Sequence, residues 1–483
     1  VTKDTLARRG NHPASGGDLP GMPTEAQTPT VPTPTEQAPA RSLLPLLRRL
    51  HFYAGILVGP FLLVAALTGL LYVFAPHLEQ AIYDHELRVP AAQDSVPLAE
   101  QVAAAEAALP EGTLVSVRPA PSPTDTTQVI LDEPGLAESY HRTVFVNPHD
   151  GEVRGVLETY GSSQALPVRA WLDQLHRSLH LGDVGRIYSE LAASWLWVVV
   201  LGGLVLWWGK RRRRRVRPDR TAKGRARTLS WHGATGTWVA LVLLFLSATG
   251  LTWSQYAGEN VSALREALSW ETPSISASAG EHAQHQGSAG HTGHAGHTGQ
   301  QAGSGTGIGP DGALAAARTV GLDDPVEITV PANDGEVYVV TQTQRHWPTK
   351  QDSAAIDPAT GQVLEVLRFD DYPLAAKLAR WGIDGHMGLL FGLPNQLVLA
   401  TVCLAVVALV IWGYRMWWQR RPTQAGFGKP FPRGAWRSTP PWLLVVLVLA
   451  AAAVGWFLPL LGISLLGFLV LDALLGLRRQ RAG

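Results

Sequence analysis

Apolar and polar positions are segregated along this chain. Six runs, at residues 50–74, 189–208, 233–253, 389–412, 441–457 and 460–477, are apolar on every side and almost free of charge. Each comes near the length that crosses a hydrocarbon core of ~30 Å. A helix packed into a soluble core would keep polar residues along one face, and these do not. Six membrane-spanning helices are therefore predicted. The two long connections, 75–188 and 256–388, carry a different pattern. Each opens on an alanine-rich amphipathic stretch, 98–109 or 312–320. Strand-like alternation follows at 113–118, 127–131 and 143–146 in the first, and at 326–330, 336–342 and 354–356 in the second. The turns Asn147-Pro-His-Asp-Gly151 and Asp357-Pro-Ala-Thr-Gly361 place Pro and Gly where a tight turn needs fixed and positive φ. The predicted fold class is a membrane all-α bundle of six transmembrane helices, built from a duplicated unit, with two small α+β extracytoplasmic domains.

Charge sets the expected orientation, because Lys and Arg accumulate in short cytoplasmic loops. Arg41, Arg48 and Arg49 precede the first span, and Lys210 to Arg215 with Arg217, Arg220, Lys223, Arg225 and Arg227 fill the next connection. Arg415, Arg420 and Arg421 follow the fourth span; Arg478, Arg479 and Arg481 close the chain. Both termini are expected in the cytoplasm of a bacterial cell and the long connections outside its cytoplasmic (inner) membrane. The basic run lies directly against a span, which assigns it to topology and lipid headgroups rather than nucleic acid. The net charge of +1 points to no partner besides membrane lipid. Cys403, the single cysteine, falls inside a span, so the outer regions must fold without intrachain disulfides. Residues 1–40, rich in Pro, Thr, Gly and Ala, read as a disordered cytoplasmic tail. The first apolar run begins too late and is too long for a cleavable signal peptide.

Self-similarity organises what remains. His51 to Leu70 matches His232 to Leu251 without gaps at an offset of 181, and a second match runs at a constant offset of 210. The latter pairs Asn147 with Asp357, Gly151 with Gly361, Trp171 with Trp381, His176 with His386, Gly203 with Gly413, and Trp207-Trp208 with Trp417-Trp418. The repeated unit is span, outer domain, span. The predicted segments are 41–75 (first span), 76–188 (first outer domain), 189–209 (second span), 210–232 (basic loop) and 233–256 (third span). They continue as 257–310 (linker), 311–388 (second outer domain), 389–415 (fourth span), 416–440 (cytoplasmic loop), 441–477 (a hairpin of two spans) and 478–483 (cytoplasmic end).

The sequence resembles the PepSY-associated transmembrane proteins, a family that includes inner-membrane ferric-siderophore reductases. Asn147-Pro-x-x-Gly151-x-Val153 and its copy at Asp357, Leu175-His176-Arg177 and Trp231-His232 carry the likeness, which covers about 50–421. It implies PepSY-like outer domains and two haem b groups held between the spans. Of the 16 histidines, only His51 with His232 and His176 with His386 recur through the duplication. The first pair starts spans at the cytoplasmic side, and the second lies just before spans at the outer side. Two imidazoles on opposite helices are what a six-coordinate haem iron takes at its axial positions. Gly55 and Gly236, four residues on and on the same helical face, leave room for a flat macrocycle. A lone interfacial histidine is more often an anchor than a ligand, and the recurrence is what lifts these four. His180, one turn from His176, is a rival ligand, but Leu390 stands at its counterpart. His77 and His85 have no counterparts and are expected at the surface.

Before the second outer domain, His282, His285, His291, His294 and His297 lie in a Gly-, Ser- and Ala-rich segment. Their spacing can gather imidazoles around a weakly bound transition metal, or the segment can be a spacer. Gly303-Ser-Gly305-Thr-Gly307 follows no strand and is a linker. Trp207, Trp208, Trp417 and Trp418 read as an interfacial belt. Nothing resembles a flavin or nicotinamide site, so the electron donor would be a separate cytoplasmic protein or a membrane quinol. The leading expectation is a haem-dependent transmembrane oxidoreductase whose acceptor, implied by the resemblance, is a ferric chelate reduced for iron uptake. The alternatives are a membrane-anchored PepSY binding or regulatory protein, and a metal-handling protein working through the histidine-rich loop.

Overall fold

The first apolar run folds as two helices, α1 (Leu44–Leu57) and α2 (Gly59–Val73), which meet at a bend of 54°. Pro60, in the first turn of α2, explains the break, because it has no N–H to return to the Ile56 carbonyl. Tyr414 fills that vacancy: its hydroxyl donates to Ile56 O at 2.6 Å. The phenol packs against Gly59, where a Cβ would make ordinary contact with it, 3.4 Å from Tyr414 Cε2.

The computed structural model describes residues 43–208, 216–275, 307–333, 335–420, 436 and 439–481. After α2 come α3 (Ala75–Ile82), α4 (Asp84–Leu87) and α5 (Leu98–Ala108). Strands β1 (Thr113–Arg118), β2 (Thr127–Asp132), β3 (Tyr140–Val146) and β4 (Val153–Tyr160) follow, then α6 (Pro167–Ser178) and α7 (Gly182–Trp208). The second half repeats the plan with α8 (Gly224–Thr252), α9 (Tyr256–Ala267) and α10 (Gly309–Thr319). Next are β5 (Val326–Thr329), β6 (Tyr338–Gln342), β7 (Ser353–Ile356) and β8 (Val363–Leu367), then α11 (Leu374–His386) and α12 (Leu393–Trp418). A hairpin, α13 (Pro441–Phe457) and α14 (Pro459–Arg481), closes the chain.

Among the described residues α7, α8 and α12 are long and apolar enough to cross a bilayer, and the bent pair α1/α2 passes the same test only when taken together, which gives three spans or up to four. The expectation of six spans is corrected. The 17 residues of α13 make about 26 Å of helix at ~1.5 Å per residue, short of the ~30 Å core, and the apolar part of α14, Pro459–Leu475, is no longer. The hairpin is nonetheless fastened to the bundle. Trp195 Nε1 donates to Ser464 Oγ at 2.8 Å, Asn260 Nδ2 donates to Phe457 O at 3.0 Å, and buried Arg49 pairs with Asp472. Within α7, Glu190 is 1% exposed, and its carboxylate accepts the N–H groups of Tyr256 (2.9 Å) and Ala257 (3.0 Å). A buried acid thus caps the start of α9. The chain is a multi-pass membrane protein.

The two separate α+β domains are also corrected: the strands form one open sheet of eight, in the order β4-β3-β2-β1-β5-β6-β7-β8. The seam is β1 against β5, antiparallel, with Ser116 opposite Thr329 and Val117 opposite Ile328. Two four-stranded halves would each expose an unpaired edge, and pairing those edges removes both. Side chains reinforce the seam, for Glu327 accepts from Ser116 Oγ at 2.7 Å and from Arg118 Nη2 at 2.7 Å. The halves also share one core. On one face α5 contributes Leu98, Val102 and Ala105 while α10 contributes Ala313, Leu314 and Ala317, against Val117, Val129, Val144, Ile328, Val340 and Ile356 from the strands. The Asp311 carboxylate, at the start of α10, accepts the N–H groups of Leu98 and Ala99 at 2.8 Å each and so caps α5 of the other half.

Candidate functional site

His51 on α1 and His232 on α8 face one another in the half of the bundle away from the sheet, their ring centroids 6.4 Å apart and their planes at 81°. Each is held through Nδ1 by a backbone carbonyl of a third helix. His51 Nδ1 lies 3.0 Å from Val199 O on α7, and His232 Nδ1 lies 3.1 Å from Leu409 O on α12. A carbonyl only accepts, so Nδ1 carries the proton in both rings and the Nε2 lone pair is left for a ligand. Val199 and Leu409 themselves stand 210 positions apart, the offset of the duplication.

The outer pair reaches the same state by another route. His176, in the last turn of α6, meets Thr68 of α2, with Nδ1 to Oγ1 2.9 Å. His386, the last residue of α11, meets Thr249 of α8 at 2.6 Å. Each threonine hydroxyl spends its hydrogen on its own helix, Thr68 on Val64 O at 2.9 Å and Thr249 on Phe245 O at 2.8 Å. With that hydrogen on the helix, the imidazole donates and the hydroxyl accepts. Trp253 packs edge-on to His386, with centroids 5.6 Å apart.

Thr68 and Thr249 are the site residues that inspection for ligand types passed over. A signal existed, for Thr68-Gly69 and Thr249-Gly250 coincide at the 181 offset. The glycines matter as well. A Cβ on Gly69 would stand 3.1 Å from His176 Cε1, and one on Gly203 would stand 3.0 Å from His51 Cε1. Beside the inner pair the space is open: nothing lies within 4 Å of a Cβ on Gly55, and only Leu409 Cδ2, at 3.8 Å, near one on Gly236. His180 takes no part in the outer pair; it sits in the turn after α6 with its ring 4.9 Å from that of Trp171. His77 and His85 are exposed, His77 bonded to Gln396 and His85 to Arg154.

The expected cofactors, two haem b groups and a transition metal at the histidine-rich loop, are corrected. Among the described residues there is no group of three or more His, Cys, Asp or Glu that could hold a metal ion. A cation caged by side chains alone needs that many donors, and these imidazoles meet only in twos. His282, His285, His291, His294 and His297 lie outside the described residues, as do residues 1–42 and 209–215.

Chemically, the arrangement offers four imidazoles in apolar surroundings, each held through Nδ1 by an oxygen of another helix. A second-shell acceptor on each Nδ1–H both orients its ring and raises its basicity as a ligand. No curated protein matches the chain. The PepSY-associated TM region matches residues 48–420, which include all four histidines and both threonines.

Proposed function

From the premise that the chain belongs to the PepSY-associated TM family, we propose that it carries electrons across the bilayer, from the His51/His232 pair to the His176/His386 pair, and hands them to an acceptor on the sheet side. The observation that carries this reading is the shared anchoring: all four imidazoles meet an oxygen of another helix through Nδ1, and a ring that donates there keeps the Nε2 lone pair. The one-electron chemistry would come from a separately bound redox-active group, while the chain supplies orientation and an apolar shell.

The basic residues Arg48, Arg49, Arg217, Arg220, Lys223, Arg225, Arg227, Arg415 and Arg420 cluster at helix ends away from the sheet, which supports a cytoplasmic location for that side and for both termini. Electrons enter there from a separate reductase or a membrane quinol. The acceptor is ferric iron in an oxygen-donor chelate, because reduction to the softer Fe(II) weakens hard oxygen ligands and releases the metal.

Visible spectroscopy of the full chain purified in neutral detergent tests the proposal. It requires absorption bands that shift on reduction with dithionite and recover on adding ferric citrate. A folded but colourless protein sinks it, leaving the role of a membrane-anchored binding protein.

A further inference from the structure

A pocket of about 220 Å³ opens where the β3–β4 end of the sheet meets α6 and the first turn of α7. Arg177 and Arg186 line it with Tyr140, Tyr160, Gln174 and Ser178. Both arginines are half-buried. Arg177 Nη2 donates to Tyr160 Oη at 2.9 Å with its guanidinium over that ring, and Arg186 Nη2 donates to Trp253 O at 3.0 Å. These bonds aim two like charges into one pocket, near enough to repel each other. Asp183 and buried Glu190 act on Arg186 as countercharges. Glu138 and Asp183 sit at the solvent-exposed rim, where water screens them. Burial pushes the Asp173 carboxyl up, while Arg177, Arg169 and Arg186 pull it down.

The duplication supplies an internal control. At the 210 offset Arg177 becomes Met387, Arg186 becomes Gln396, Gln174 becomes Asp384 and Tyr160 becomes Asp370. The second half builds the same frame without the guanidinium pair, so the pair is not needed for folding a half. Two desolvated guanidiniums flanked by phenol and amide donors are the chemistry that recognises an oxyanion.

We propose that this pocket binds a small oxyanion, a carboxylate or a phosphate, between Arg177 and Arg186. The site adjoins the outer imidazole pair, as Arg177 follows His176 directly, yet binding here stands whether or not the chain carries electrons. At the junction of sheet and bundle the oxyanion has two sources, a free solute or a lipid headgroup.

Calorimetric titration of the full chain separates them, with citrate and with inorganic phosphate in neutral detergent, and with phosphatidylglycerol against phosphatidylcholine in nanodiscs. Wild-type protein is expected to bind citrate or phosphate, and R177Q and R186Q to weaken that binding at least tenfold. R186K keeps most of it, and R318Q, far from the pocket on α10, keeps all of it. Arginine-dependent uptake of phosphatidylglycerol alone supports the site with a headgroup as its occupant. Absence of binding by all three probes, or binding that survives both glutamine variants in proteins with wild-type melting temperatures, overturns the proposal.

Discussion

Thr249 accepts the Nδ1–H of His386 across 2.6 Å, and its own hydroxyl hydrogen is committed to Phe245 one turn back on α8. That single acceptor decides which nitrogen of the imidazole is protonated. Thr249→Val keeps the shape and removes the acceptor. Under the electron-transfer proposal, roughly a 10- to 100-fold loss in affinity for a redox-active group held there is expected, the usual cost of deleting a hydrogen-bond partner of a ligating imidazole. Thr68→Val should act alike through His176, and titration of the visible spectrum against added cofactor reads both. Full retention of affinity in both variants would show that the threonines do not set the tautomer.

His51→Ala and His232→Ala should each remove the same fraction of the visible absorption, and the double variant should remove no more than either alone. His176→Ala and His386→Ala should jointly account for the remainder. Complete bleaching by any single change would mean that the pairs do not load independently.

Gly203→Ala places a Cβ 3.0 Å from His51 Cε1, tighter than ordinary contact, so the ring must turn or the helices part. Loss of occupancy at the inner pair with the outer pair unchanged is expected. Gly236→Ala meets only Leu409 Cδ2, at 3.8 Å, and serves as its partner test. If Gly236→Ala also depletes the inner pair, the open space beside it is filled by the bound group.

Tyr414→Phe leaves the Ile56 carbonyl without the donor that replaces the N–H missing at Pro60. A loss of about 1–3 kcal/mol follows from leaving such a group unpaired. Pro60→Ala restores a backbone N–H, so the double variant should lose less than Tyr414→Phe does alone. Reversible unfolding in detergent provides the measurement, and equal losses in the single and double variants would refute the compensation.

Asp311→Ala removes the carboxylate that caps α5 from the opposite half. About 1–2 kcal/mol of stability is at stake for such a cap. Because the two halves share one core, unfolding followed by a fluorophore on either half should shift together. Separate transitions would show that the halves fold as independent domains.

Much of the site was legible in the sequence. His51, His232, His176 and His386 stood out from the other histidines because duplication preserved them, and the structure sets the rings of His51 and His232 6.4 Å apart. Their ring orientation was not legible. Val199 and Leu409 act through backbone carbonyls, which any residue carries, and a threonine inside an apolar helix looks like a helix residue bonded to its own turn. The strands were largely placed by alternation, but nothing in the alternation of β1 or β5 says that each is the other's neighbour. That depends on which edges are left bare once each half has folded. The six apolar runs overstated the spans because hydropathy registers apolar length and not the 17-residue limit and the Leu458 break that shorten the last two.

By itself the chain determined everything local or periodic: the apolar runs, the alternating strands, the tandem repeat and the histidines it preserves. These follow from neighbouring residues, or from comparing the chain with itself. Tertiary structure decided the rest. It let Tyr414 rescue the carbonyl of a residue 358 positions away, merged two sheets into one, and set the Nδ1 of four imidazoles against oxygens of other helices. Those outcomes depend on which hydrogen-bonding groups meet once the helices have packed, and no stretch of sequence carries that by itself.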